Sequence, residues 1–171
     1  MSKADSVKTP ARRKGGVGAM MDEYERAVAE LSTLVSSLSD ADFEAVRDLE
    51  TRDESCRSIQ TVMHHVIRAG YGYATYIRKA FGVPAERPEV PEPSRDDCAG
   101  RLQEVMDYTE NTLEGKWLMT DDEITAVKMD TPWGVRYDME QLLEHAIVHI
   151  LRHRRQIERF LSEPRFRPKG A

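Results

Sequence analysis

Very little in this chain is available for covalent cross-linking or membrane insertion. Cysteine occurs only at Cys56 and Cys98, without metal-ligand spacing between them and without the framework of a disulfide-stapled fold. No apolar run approaches the roughly 20 residues of a transmembrane helix, and none reads as a signal-peptide core. A soluble, cytoplasmic protein is therefore expected. There is no internal repeat and no glycine-rich phosphate loop. Histidine is scarce as well, at five residues, and its distribution is uneven: His64 and His65 form one cluster, and His145, His149 and His153 form the other.

A length of 171 residues corresponds to one domain with room for a real core. The net charge of −5 gives the body of the chain no electrostatic case for nucleic acid, and neither nucleic-acid nor membrane binding is expected. The basic residues Lys3, Lys8, Arg12, Arg13 and Lys14 gather in the first twenty positions, among glycine, proline and serine. Residues 1–19 are therefore expected to be a flexible basic tail, and 164–171 a C-terminal tail.

Between the tails the dominant pattern is helical. Tyr24, Ala27, Val28, Leu31, Leu34, Val35 and Leu38 share one face, predicting a first helix over about 20–39. A short helical turn is expected near Phe43–Val46. Ser58 is the candidate N-cap of a second helix over about 58–81, with Val62, Met63, Val66, Ile67 and Ile77 facing inward and Gly82 and Pro84 as the stop. Pro84, Pro88, Pro91 and Pro93 then require an extended connector. Ser94 with Asp97 opens a third helix that ends near Gly115, and Asp138 with Gln141 caps a fourth that runs to Leu161. The intervening Asp121–Tyr137 loses helical period. There Ile124, Thr125, Val127, Thr131, Trp133, Val135 and Tyr137 favour short extended pieces or a hairpin bent at Pro132 and Gly134. The expected fold is all-α, a four-helix bundle over residues 20–163 with an irregular or hairpin segment before the last helix.

Gly70 and Gly72 stand inside the second helix, each about 1 kcal/mol less favourable there than alanine. Two explanations compete. The glycines either allow close helix packing or, because Ala69 and Gly72 follow His65 on one ridge, keep an opening beside that histidine.

The fourth helix carries His145, His149 and His153 at successive i, i+4 spacings, so consecutive members lie one turn apart on nearly one face. The ridge borders an apolar stripe of Leu142, Leu143, Ala146, Ile150 and Ile157. A rise of about 1.5 Å per residue separates His145 from His153 by about 12 Å, so only one adjacent pair can serve one ion. Spacing alone leaves His145/His149 and His149/His153 open. With a histidine from the second helix, either pair makes a three-histidine site with an open position, as in catalytic zinc centres. Other chemistries are excluded. No glutamate follows His145 or His149 as a zinc-protease helix requires, and none stands three residues before His65, His149 or His153 as in di-iron bundles. No Ser-His-Asp set is apparent, so a metal-bound water or thiolate is the expected nucleophile.

The run His149-Ile150-Leu151-Arg152-His153-Arg154-Arg155-Gln156-Ile157 resembles the H-x-x-x-H-R-x-Q-I ending of the DinB-like superfamily of metal-binding four-helix bundles. Ser58-Ile59 with His65 six residues on, and Thr131-Pro132-Trp133-Gly134 before the last helix, are similar as well. The likeness spans about residues 20–162. It implies His65, His149 and His153 as ligands, with His64 and His145 outside the set. Arg155 departs from the glycine common in that motif and puts the neighbouring surface in question.

Relatives include S-transferases that use low-molecular-weight thiols, and thiol-dependent isomerases. The resemblance therefore implies a divalent-metal enzyme, with zinc expected and nickel, iron or manganese acceptable to the same ligands. Its partners would be a small-molecule thiol and an electrophile, with Arg68 and Arg152 as candidate substrate contacts. The alternative is a non-catalytic stress-response bundle with a structural metal, acting through a protein partner. A homodimer is also expected, from the resemblance and from the apolar Trp117 and Phe166.

Overall fold

The computed structural model describes residues 12–163. Residues 1–11 of the expected N-terminal tail and all of 164–171, including Phe166, lie outside that range. The elements in order are α1 (Gly15–Ser36), α2 (Asp40–Glu44), a 3-10 turn (Glu54–Cys56), α3 (Ile59–Ala80), α4 (Asp97–Leu113), α5 (Asp121–Ala126), strands β1 (Lys128–Asp130) and β2 (Arg136–Asp138), and α6 (Met139–Ser162). The four long helices form the bundle, with α1 against α4 and α6, and α3 against the same two. Met21, Leu31, Ile59, Met63, Ile67, Leu102, Leu113 and Met139 are fully buried between them. Each buried Leu, Ile or Met contributes on the order of 1.5–3 kcal/mol. None of the described helices is long and apolar enough to cross a membrane.

Local chemistry places the helix starts. Ser58 and Thr61 exchange side-chain and backbone hydrogen bonds at the start of α3, and Asp138 with Gln141 does the same for α6. These two boxes set the phase of the helices that carry the histidines. Ser94 and Asp97 bond reciprocally one turn ahead of α4.

Two boundaries differ from expectation. Helix α1 begins at Gly15, inside the expected tail, because Arg13 clasps it: its guanidinium binds Asp22, Glu25 and Glu110. Gly15 adopts φ +77°, and a Cβ there would meet the Trp117 carbonyl oxygen. Trp117 is half-buried with Arg13 over its ring at 5.6 Å, so it is not the exposed apolar residue expected. Ile124 and Thr125 are helical rather than extended. Thr120 and Glu123 form a capping box, and Asp121, Asp122 and Glu123 complement the positive end of α5. The hairpin follows, with Lys128, Met129 and Asp130 opposite Asp138, Tyr137 and Arg136. Its tip is Thr131–Val135, closed by Thr131 Oγ1 donating to the Val135 carbonyl at 2.6 Å and by Gly134 at φ +82°.

The two glycines of α3 separate the competing explanations. A Cβ at Gly70 would lie 2.5 Å from Val105 Cγ1, so this glycine serves the close contact of α3 with α4. A Cβ at Gly72 would meet only the Arg87 guanidinium, at 3.8 Å. Gly72 is the glycine of the opening.

The proline-rich connector is fastened along its length by side chains that reach its carbonyls. Gln60 donates to Pro93, Arg78 to Pro84 and Tyr108 to Glu86. His64 Nε2 lies 2.9 Å from the Val90 oxygen. The connector in turn places Arg87 against α3, where it donates to the Arg68 carbonyl.

Candidate metal centre

Helices α3 and α6 bring three imidazoles together. His65, His149 and His153 each offer a ring nitrogen, and the three atoms lie within 4.8 Å of one another. Nε2 of His65 is 3.0 Å from Nε2 of His149, and the rings of His149 and His153 are centred 4.5 Å apart. His149 and His153 are buried, and His65 is half-buried. Burial holds all three below the ordinary imidazole pKa, His149 down to about 3, with the neighbouring histidines adding to the effect there. Asp53 opposes the shift at His65. At neutral pH the three rings are uncharged, the form that donates a lone pair.

The donor set fits a divalent cation. Two facing Nε2 atoms can share one proton, but three converging neutral rings cannot all be satisfied by one another. Among the described residues His149 Nδ1 is buried without a hydrogen-bond partner, and the ring's polar contact is on the cluster side, to His65. His153 Nδ1 lies 2.9 Å from Gln156 Oε1. An acceptor there keeps the proton on Nδ1 and turns the Nε2 lone pair inward, the usual brace of a ligating imidazole. Tetrahedral zinc at about 2.0–2.1 Å from each nitrogen needs ligand atoms roughly 3.3 Å apart, a spacing the cluster brackets.

The other two histidines have different work. His64 holds the connector. His145 is in the wall of a neighbouring cavity, stacked on Trp133 at 5.9 Å and 22°, with Tyr137 Oη 3.3 Å from its Nδ1. Of the two pairs that spacing leaves open, His149 and His153 are the ones placed beside His65.

Two cavities border His65. One, of about 420 Å³, is lined by Glu54, Ser55, Thr61, His64, Arg68 and Arg87 besides His65. The other, of about 300 Å³, reaches from His65 and His149 past Ala69 and Gly72 to Tyr73, Tyr76, Trp133 and His145. Of the two candidate arginines, Arg68 lines the first cavity. Arg152 is exposed, with its charge felt at His145, His149 and His153. Arg155 is 77% exposed beside Glu158, so the departure from the motif faces solvent and leaves the cluster intact.

Several residues near the site carry no periodic signal in the sequence. Arg87 comes from the connector and lines both cavities. Cys56, half-buried in the 3-10 turn, is within hydrogen-bonding reach of Gln156, and its Sγ lies 3.6 Å from Asp53 Oδ2. Burial raises the Cys56 thiol pKa, so this group rests as the neutral thiol.

The sequence profile of the DinB superfamily matches residues 23–157, and the chain belongs to that superfamily. The match takes in all three clustered histidines, the whole of α3 and α4, and the larger part of α1 and α6. A search of curated proteins finds no match.

Proposed function

We propose that this protein is a metal-dependent transferase that joins a low-molecular-weight thiol to an electrophile. The observation that carries the reading is the convergence of three neutral imidazoles at a point bordered by two cavities. A purely structural ion would need no such access. A divalent cation held by His65, His149 and His153 would supply Lewis acidity, lowering the pKa of a bound thiol or water. Zinc fits a three-imidazole site with an open position, nickel, iron and manganese can also be bound by imidazole, and occupancy follows availability.

The chain's own residues supply the rest. Gln156 orients His153 and holds its tautomer. Arg68 and Arg87 set cationic groups along the larger cavity, where an acidic thiol cosubstrate gains charge-assisted hydrogen bonds. Glu54 in the same lining disfavours an anion close to it, so the acidic groups of the thiol belong at the arginine end.

The test is substitution of Co²⁺ into natively purified protein, followed by visible spectroscopy during thiol titration. Glutathione, cysteine and other small thiols at millimolar concentration should shift the spectrum, and one of them should form a conjugate with an electrophile. An unchanged Co²⁺ spectrum across these thiols would favour a structural metal in a bundle that acts through a partner.

A further inference from the structure

The smaller cavity has a composition of its own. Ala69 and Gly72 line it with no more than a methyl group and a hydrogen, and its other walls are largely aromatic. Tyr73 and Tyr76 both meet Trp133 edge to face, at 6.4 Å and 89° and at 6.0 Å and 76°. His145, also in the lining, is stacked on the indole at 5.9 Å and 22°. Ring edges and faces set at right angles are the surroundings that a further planar ring prefers, because its positive edge and negative face each find a complement. A volume of about 300 Å³ is at the small end of ligand pockets, so it suits one ring system rather than an extended chain. The inner end is His65 and His149, and at the rim stands the Arg87 guanidinium, tied to the Arg68 carbonyl.

We propose that this cavity binds a planar aromatic ring bearing an acidic or hydrogen-bond-accepting substituent, as the electrophile of the reaction. The thiol sulfur bonds to a ring or benzylic carbon as that carbon's bond to a halide breaks, the halide leaving with the bonding pair and the thiol proton passing to solvent. The role as electrophile rests on the transferase reading; the binding itself does not. The ring lies over Ala69 and Gly72 between the aromatic walls, with one edge toward His65 and His149. Its acceptor group turns to Arg87, whose guanidinium carries more donors than the Arg68 carbonyl uses. Because Arg87 lines both cavities, it brings an anionic thiol and an acceptor-bearing ring to adjacent sides of His65. Gly72 is the specificity residue in this arrangement: any side chain there enters the space the ring needs.

Isothermal titration calorimetry on the full chain, metal-loaded and chelator-stripped, tests this with 4-chlorobenzoate, 4-chlorobenzyl alcohol and the saturated cyclohexylmethanol. The two aromatic compounds should bind with submillimolar Kd in both forms, and cyclohexylmethanol at least tenfold more weakly. Gly72→Val and, independently, Trp133→Ala should each weaken aromatic binding at least tenfold. Arg87→Met should weaken 4-chlorobenzoate at least fivefold and 4-chlorobenzyl alcohol by a smaller factor, since a neutral hydroxyl gains less than a carboxylate from the guanidinium. Equal binding of the saturated and aromatic alcohols would overturn the proposal, as would unchanged aromatic affinity in a folded Gly72→Val or Trp133→Ala. Aromatic binding without any Co²⁺ response to thiols would overturn the transferase reading and leave the cavity's ligand class standing. A Co²⁺ response without aromatic binding would do the reverse.

Discussion

Gln156 Oε1 stands 2.9 Å from His153 Nδ1, on the same helix and three residues on. The contact gives a physical reason for a glutamine at this place in the motif: an amide oxygen can only accept, so the histidine must donate from Nδ1 and present Nε2 to its neighbours. Gln156→Leu removes the acceptor while keeping helix α6 and the apolar packing. Metal affinity should fall by roughly 10–100-fold, the usual cost of losing such a brace. Competition with a chromophoric chelator would measure it, and an affinity unchanged within twofold would show that the ring is held by packing alone.

The five histidines should divide three to two. His65→Ala, His149→Ala and His153→Ala each delete a member of the converging group, and each should weaken metal binding by more than the loss of Gln156 does. His64→Ala should instead keep stoichiometric metal, because its ring is spent on the Val90 carbonyl. His145→Ala should also keep metal, while opening the aromatic cavity beside Trp133. Metal analysis of the five purified variants decides the matter. Loss in His145→Ala with retention in His153→Ala would assign the wrong pair on α6.

Burial fixes a second measurable property, resistance to ionisation. Tyr24 and Tyr73 have their hydroxyl pKa values raised by burial, and the buried Cys98 thiol is pushed up to about 12. The folded chain thus keeps protons that the unfolded chain releases above about pH 8.5–10. The stability these groups contribute is complete below that range and is lost as pH rises toward their folded values. Urea midpoints should fall between pH 8 and pH 11, and less steeply in Cys98→Val. In native protein at pH 8 a disulfide reagent should titrate Cys56 alone, slowly, with Cys98 appearing on unfolding. Equal rates for the two thiols would contradict the burial of Cys98.

What the sequence makes legible follows from what is local and periodic. The four long helices are readable because their buried residues repeat at helical spacing and because Ser58 as an N-cap and the Asp138/Gln141 pair mark two of the starts. One turn of α6 joins His145 to His149 and His149 to His153 alike, so spacing makes a histidine pair legible without choosing it, and only the resemblance points to His149 with His153. Helix α5 is too short for a period to show, and the β-branched Ile124 and Thr125 point the other way. Its signal is the Thr120–Glu123 box, which propensity overshadows. Arg87, Asp53 and Cys56 reach the site from loops, so nothing short of chain closure brings them to His65 and Gln156. The start of α1 is hidden by the same cause: the Gly15-Gly16 pair reads as a tail until Arg13 is seen clasped to Asp22, Glu25 and Glu110.

Gly70 and Gly72, two residues apart on α3, should respond oppositely to alanine. In a helix interior the substitution itself is worth about 1 kcal/mol in favour of alanine. At Gly72 nothing offsets that gain, since the new methyl would meet only the end of Arg87 at 3.8 Å, an ordinary contact. At Gly70 the methyl would lie 2.5 Å from Val105 Cγ1 and 3.4 Å from Tyr24 Oη. Val105 is buried and stiff about its first side-chain torsion, so it cannot swing aside as a long side chain would. Overpacking of this kind costs about 1–3 kcal/mol, which exceeds the propensity gain over most of that range. Thermal melts should therefore place Gly72→Ala above the parent chain and Gly70→Ala below it. The shift is roughly 2–4 °C per kcal/mol for a chain of this size. Gly70→Ala melting at or above Gly72→Ala would mean that α3 and α4 are not in the close contact described, and that neither glycine has the role assigned to it.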